Sequence, residues 1–180
     1  MTYHKKEIEV KARIVNFENL VNKLDELGIV LSKPSVQDDQ IFWPNGTKFE
    51  DLASGPPVLR IRKENNHVIF TLKQRSIERE LTKIEKEIVV DNAESLREIL
   101  EIIGFYNVLN IHKSRRSAQH NEFTICVDEV EGLGHFIEIE QMTSGDEAEA
   151  LKNLLEFLLT LGISEGDITE KGYDTLLLQK

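Results

Sequence analysis

Cysteine is almost absent from this chain: Cys126 stands alone among 180 residues. No intrachain disulfide can form, so the fold must close by burial alone, and a reducing, cytoplasmic location is expected. Long apolar runs are missing too. The most apolar stretch, Leu151 to Ile163, is short for a bilayer and is interrupted by Glu156, so no membrane partner is expected. The first residues, Met1 to Glu7, run straight into a charged segment without the apolar region of a secretory signal. Basic residues are in the minority. There are 22 Lys and Arg against 32 Asp and Glu, for a formal charge of −10, which argues against duplex nucleic acid as a partner. No glycine-rich phosphate loop, nucleophile elbow or Cys/His pair is present. The histidines at 4, 67, 112, 120 and 135 lack metal-ligand spacing. Cys126, beside Asp128, reads as a small filler rather than a nucleophile.

What is present is alternation. In Lys6 to Ile14, Ile8, Val10, Ala12 and Ile14 fall on one side of a strand, and Glu7, Glu9, Lys11 and Arg13 on the other. With 40% hydrophobic and 30% charged residues, the chain is long enough and apolar enough for one globular domain over 1–180.

The order of elements repeats. Asn16 caps a helical stripe of Phe17, Leu20, Val21, Leu24 and Leu27 that stops at Gly28. Strands are expected at Val36–Trp43, Val58–Lys63 and His67–Gln74. A loop over 47–57 follows the first, and a hairpin turn at Glu64-Asn65-Asn66 joins the other two. A second alternating strand, Ile84–Val90, leads to a capping box of Asp91 with Glu94, and the stripe Leu96, Ile99, Leu100, Ile103 ends at Gly104. Three more strands follow at Val108–Ala118, Glu122–Val130 and His135–Gln141. Asn16, Gly28 and Glu9 fall on Asn92, Gly104 and Glu85 at an offset of 76 residues, and Lys11 falls on Glu87. The chain therefore reads as strand–helix–strand–strand–strand twice, with pseudo-repeats at about 1–75 and 80–142 and a helical segment at 145–180. In that segment Ser144 and Glu147 form a capping box. The leucine stripe Leu151–Leu159 faces either the core or a second copy in a homodimer. The end, Glu170–Leu178, is a short helix or an edge.

The polar sets on the strands are Glu7, Glu9, Lys11; Arg60, Arg62; Thr71, Lys73; Glu85, Glu87; Lys113, Arg115; Thr124, Cys126, Asp128; and Glu138, Glu140. A solvated sheet face produces the same alternation. Three details favour a lumen. Acid-only and base-only pairs recur two residues apart, and each needs counter-ions. Acids and bases nearly balance within these sets although the chain is acidic. Eight strands suffice to close a small barrel. Carboxylates beside guanidinium and ammonium groups suit a polyphosphate carried with a divalent metal. Trp43, Phe42 and Phe49 either stack on an organic group or pack in the core.

The ordered series of motifs resembles the CYTH superfamily, the triphosphate tunnel metalloenzymes. Glu7-Ile-Glu-Val-Lys11 is similar to its E-x-E-x-K signature. Leu59–Arg62, Thr71–Lys73, Glu85–Glu87, His112–Arg115, Val127-Asp128 and Phe136–Glu140 follow in order, so nearly the whole chain is covered. Gly132–Phe136 and Gly172–Leu177 look most like the class IV adenylyl cyclase branch, with Gly172 where that branch commonly has Ser. Glu140 is the more triphosphatase-like feature. The resemblance implies an α+β fold: an eight-stranded antiparallel β-barrel from the duplicated unit, with helices packed outside. It implies Mg2+ or Mn2+ on Glu7, Glu9, Asp128, Glu138 and Glu140, with Glu85, Glu87 and Tyr173 in support. The triphosphate would be held by Lys11, Arg60, Arg62, Lys73, Lys113 and Arg115, of which Lys11, Lys73 and Lys113 are the candidate catalytic side chains. The implied reaction is conversion of ATP to cyclic AMP and pyrophosphate. The alternative is hydrolysis of inorganic triphosphate, thiamine triphosphate or a nucleoside triphosphate.

Overall fold

A computed structural model of the chain describes residues 6–75 and 83–180. The first run of elements is β1 (Lys6–Arg13), α1 (Phe17–Glu26), β2 (Ser35–Pro44), β3 (Val58–Glu64) and β4 (His67–Arg75). The second is β5 (Lys83–Val90), α2 (Ala93–Ile102), β6 (Phe105–His120), β7 (Phe123–Val130) and β8 (Gly134–Thr143). The expected unit is thus built twice. The second repeat's expected start near residue 80 lies outside the described residues. The tail carries α3 (Glu147–Thr160) and α4 (Tyr173–Leu178).

Local chemistry sets these boundaries. Asn16 caps α1 by accepting from the Asn19 N–H at 3.0 Å, and Asn92 caps α2 by accepting from the Ser95 N–H at 3.0 Å. Two helices start later than the capping-box pattern predicts. The second helix is capped by Asn92, not Asp91, in register with Asn16. The third is capped by Asp146, not Ser144, through the Ala148 N–H at 2.8 Å. In both cases a short polar side chain stood closer to the first helical turn than the one chosen. Asn65 and Asn121 open the β3–β4 and β6–β7 turns at φ 52° and 53°, a left-handed conformation that asparagine tolerates in tight hairpins. The loop after β2 contains a 3-10 turn, Phe49–Ser54.

The strands form one sheet in the order β1-β8-β7-β6-β2-β3-β4-β5. The pairs β1–β8, β2–β3, β3–β4, β4–β5, β6–β7 and β7–β8 are all antiparallel. The first strand of each repeat pairs with the last strand of the other: β1 with β8, and β5 with β4. The fold class is α+β, as expected.

The chain forms two compact units, 1–35 with 113–180, and 36–112. In the first, Val10, Ala12, Ile125, Val127, Ile137 and Ile139 from the strands bury against Leu20 and Leu24 of α1 and Leu154 and Leu158 of α3. In the second, Phe42, Leu59 and Ile61 bury against Ala93 and Leu100 of α2. Each set occupies one parity of its strands, so the alternating charged residues are left on the opposite face. Phe42 is a core residue. Trp43 is buried against Phe49, with ring centroids 6.5 Å apart. No helix is long and apolar enough to cross a membrane among the described residues.

Candidate active site

The charged face of the first unit is laid out by strand register. Glu9 stands opposite Glu140 across β1 and β8, and Lys11 opposite Glu138. On β7, Thr124 faces Glu140 and Cys126 faces Glu138. On β6, Arg115 faces Asp128. One carboxylate oxygen from each of Glu7, Glu9 and Glu140 lies within 4.8 Å of the others. Burial, followed by Glu7, Glu9 and Glu138, pushes the Glu140 carboxyl up to about 7. Three converging carboxylates that resist joint ionisation suit a hard divalent cation, whose charge would remove the conflict.

Next to this trio is a sealed ionic cluster. Asp128 has no exposed surface. Its Oδ1 accepts from Arg115 Nε at 2.7 Å. Its Oδ2 accepts from Lys113 Nζ at 2.9 Å, Arg115 Nη2 at 2.6 Å and the Tyr173 hydroxyl at 3.0 Å. Four donors use the full acceptor capacity of a carboxylate. Glu138 pairs with Lys11 at 3.0 Å and with Arg115. Burial raises the Glu138 pKa, but Lys11, Arg115 and Lys113 outweigh it and hold the group well below the usual carboxylate range. Lys11 is pulled down by burial yet ends raised, through Glu138 and Glu9. Arg115 is likewise raised despite burial, by its bonds to Asp128 and the charges of Glu138 and Asp128. The Cys126 thiol is pushed up to about 11, first by burial, with Arg115 opposing, which favours the neutral thiol near pH 7.

The expected metal ligands therefore fall into two groups. Glu7, Glu9 and Glu140 converge. Asp128 and Glu138 form ion pairs with Lys11, Lys113 and Arg115.

The second unit carries its own charged face. Arg62 makes a bidentate pair with Asp39, Nε and Nη2 each at 2.7 Å. Arg60 Nη2 donates to Glu87 at 2.9 Å and to Thr71 at 3.1 Å, and Thr71 donates to Glu87 at 2.8 Å. Lys73 pairs with Glu85 at 3.0 Å. Burial and then Arg62 lower the Arg60 pKa. Asp39, only 4% exposed, is a site residue that the strand-parity reading passed over. Its signal was available: the offset of 76 that relates the repeats carries Asp39 onto Arg115.

That correspondence shows how the two faces differ. Asp39 and Arg62 form a bidentate pair across β2 and β3, and Arg115 and Asp128 form the equivalent pair across β6 and β7 with the signs exchanged. Glu9 and Glu85 also correspond, but Glu9 faces Glu140 while Glu85 faces Lys73. The second unit neutralises its acid with a lysine at the place where the first sets carboxylate against carboxylate. Glu85 and Glu87 are accordingly partners of Arg60 and Lys73 within their own unit.

A family model described as CYTH domain matches residues 5–173. A protein of Methanocaldococcus jannaschii named "Putative adenylate cyclase" is 32% identical over 170 residues, covering 93% of this chain and 95% of that protein. A solved structure of a Pyrococcus horikoshii protein is 29% identical with a TM-score of 0.78, covering 93% of this chain and 97% of that one. A Hippeastrum protein, described as a "putative adenylyl cyclase" that reveals a dominant triphosphatase activity, is 23% identical. It has a TM-score of 0.67, covers 97% of this chain and 96% of its own, and is a likeness of fold.

Proposed function

Because the chain belongs to the CYTH domain family, we propose that it is a metal-dependent enzyme acting on a triphosphate, and that it converts ATP to cyclic AMP and pyrophosphate. The observation that carries this reading is the carboxylate trio Glu7, Glu9 and Glu140 set beside the oriented cations Lys11, Lys113 and Arg115. The name of the Methanocaldococcus jannaschii relative supports the choice of reaction.

Glu7, Glu9 and Glu140 would hold Mg2+ or Mn2+, which supplies Lewis acidity that lowers the pKa of the attacking hydroxyl and offsets phosphate charge. Lys11, Lys113 and Arg115 bind phosphate oxygens and stabilise the charge that gathers on the leaving pyrophosphate. Asp128 and Glu138 keep those three side chains in place before the substrate arrives, so little reorganisation remains for the transition state. In the cyclase reaction the ribose 3′-oxygen forms a bond to the α-phosphorus, the bond from that phosphorus to the β-bridging oxygen breaks, and the 3′-hydroxyl proton is released. The phosphate-binding role of Arg60, Arg62 and Lys73 rests on the family resemblance.

A second reading is favoured by Glu140. A third carboxylate in the trio is the triphosphatase-like feature, and with it the same residues would direct water at the terminal phosphorus. Incubation of the protein with ATP and Mn2+, followed by chromatography, separates the two. Cyclic AMP with pyrophosphate is expected; ADP with phosphate, or turnover of tripolyphosphate alone, overturns the cyclase assignment. Glu9→Gln is expected to lower either activity by more than about a hundredfold, and full activity in that variant removes the metal assignment.

A further inference from the structure

The C-terminal tail delivers a side chain to the charged face of the first unit, and its route can be followed. Leu161 and Ile163, just beyond α3, are buried in the apolar core. Ile168 then bridges Ala12 in antiparallel fashion, and the Thr169 N–H donates to the Lys11 carbonyl at 2.8 Å. The chain thus passes from the apolar side to the charged side around the edge of β1. There α4 opens with Tyr173. Its ring packs edge-on against Phe136 at 5.2 Å, and its hydroxyl donates to Asp128. The ammonium groups of Lys11 and Lys113 lie 4.5 and 5.0 Å from its ring centroid.

We propose that Tyr173 is a positioning residue for the triphosphate-binding lysines, its ring holding the Lys11 and Lys113 ammonium groups at a set spacing. This rests on the reading that this face binds a triphosphate. An aromatic ring attracts ammonium groups through its quadrupole but carries no formal charge. Glu138 and Glu9 pair with Lys11, and Asp128 with Lys113, through full negative charges. A further carboxylate in the place of Tyr173 would add to that negative charge and weaken the cluster as an anion site. A ring restrains the two lysines and leaves their charge available. Because the side chains are ordered before the anion arrives, less freedom is lost on binding. The ring is itself anchored by Phe136, by Asp128 and by the strap across β1.

The test uses the full-length protein with Tyr173→Phe, which keeps the ring, and Tyr173→Leu, which removes it. Calorimetric titration with tripolyphosphate in EDTA at low ionic strength reads the cations without metal or turnover. Tyr173→Phe is expected to bind within about threefold of wild type, and Tyr173→Leu about tenfold or more weakly, the loss expected for two cation–π contacts. In turnover assays the KM for the triphosphate should rise more than kcat falls. Upfield ring-current shifts of the Lys11 and Lys113 ε-methylene protons should persist in Tyr173→Phe, and this signature decides the geometry if Tyr173→Leu does not fold. Equal binding by folded Tyr173→Leu, an equal loss in Tyr173→Phe, unshifted lysine signals in wild type, or no binding by wild type at millimolar tripolyphosphate each overturns the proposal. A wild type that binds tripolyphosphate but turns over neither ATP nor tripolyphosphate sinks the enzymatic reading and leaves the role of Tyr173 standing.

Discussion

Glu140 and Asp128 are both acids on the charged face of the first unit, but they sit in opposite electrostatic settings. Glu140 meets Glu7, Glu9 and Glu138, and its carboxyl titrates at about 7 rather than 4.5. Between those values the folded protein binds more protons than the unfolded chain, so stability falls as pH rises through that window and the loss is complete above it. In EDTA, Glu140→Gln is therefore expected to melt close to wild type below pH 5 and higher than wild type at pH 8. After allowance for solvent screening the gain is roughly 1 kcal/mol, or about 3 °C. A pH-independent difference in calorimetric melting temperature would contradict this. Asp128 is instead surrounded by donors from Arg115, Lys113 and Tyr173. Asp128→Ala removes the buried carboxylate to which both Lys113 and Arg115 donate, and a loss of about 3–5 kcal/mol is expected in urea unfolding in EDTA. A small loss would mean that Asp128 is not the counter-ion that holds them. Alternation put both acids on one face, but only the cross-strand pairing of β6, β7 and β8 shows which of them is already neutralised.

Helices and strands were the most legible level. Strand parity placed Val10, Ala12, Ile137 and Ile139 together, and the leucine stripe of α3 placed Leu154 and Leu158, because burial enforces a period of two in strands and 3.6 in helices. Leu154 and Leu158 are fully buried against the strands. Leu154→Ala should cost about 2–5 kcal/mol in denaturant unfolding, whereas Lys152→Ala on the exposed side should change stability by less than about 0.5 kcal/mol. Equal effects would mean that the stripe does not face the core. Helix starts were less legible. Asp91 and Ser144 satisfied the capping pattern as well as Asn92 and Asp146 did, and the choice depends on a backbone entry angle that composition does not encode. The end segment, Glu170–Leu178, leaves a helix and an edge open in the sequence and forms a helix from Tyr173, while the bridge to β1 falls just before it at Ile168.

At the scale of the molecule, one bidentate ion pair recurs in each unit with its signs exchanged, Asp39–Arg62 and Arg115–Asp128, and the excess acid of the Glu9–Glu140 row is local to the first unit. Divalent metal should therefore act as a stabilising ligand. At about a hundredfold over its dissociation constant the gain is about 2.7 kcal/mol, a rise of roughly 5–10 °C. Mn2+ should produce this rise in wild type, EDTA should reverse it, and Glu7→Gln with Glu9→Gln should abolish it. An undiminished rise in the double variant would move the metal elsewhere.

The sequence by itself determined the class of fold, the duplication at an offset of 76, the faces of the strands and the family, because hydrophobic periodicity and motif order are local and survive without knowledge of neighbours. Tertiary structure decided which charges remain to do chemistry. Within a strand Glu9, Asp128, Glu138 and Glu140 look alike, and their roles come from what stands across from them: Glu140 opposite Glu9, Lys11 opposite Glu138, and Arg115 and Tyr173 on Asp128. Glu140 and Lys11 meet their partners by pairing β1 with β8, and Tyr173 reaches Asp128 because the tail is carried around the edge of β1, both through contacts between residues more than a hundred positions apart, while Arg115 meets Asp128 across the β6–β7 hairpin.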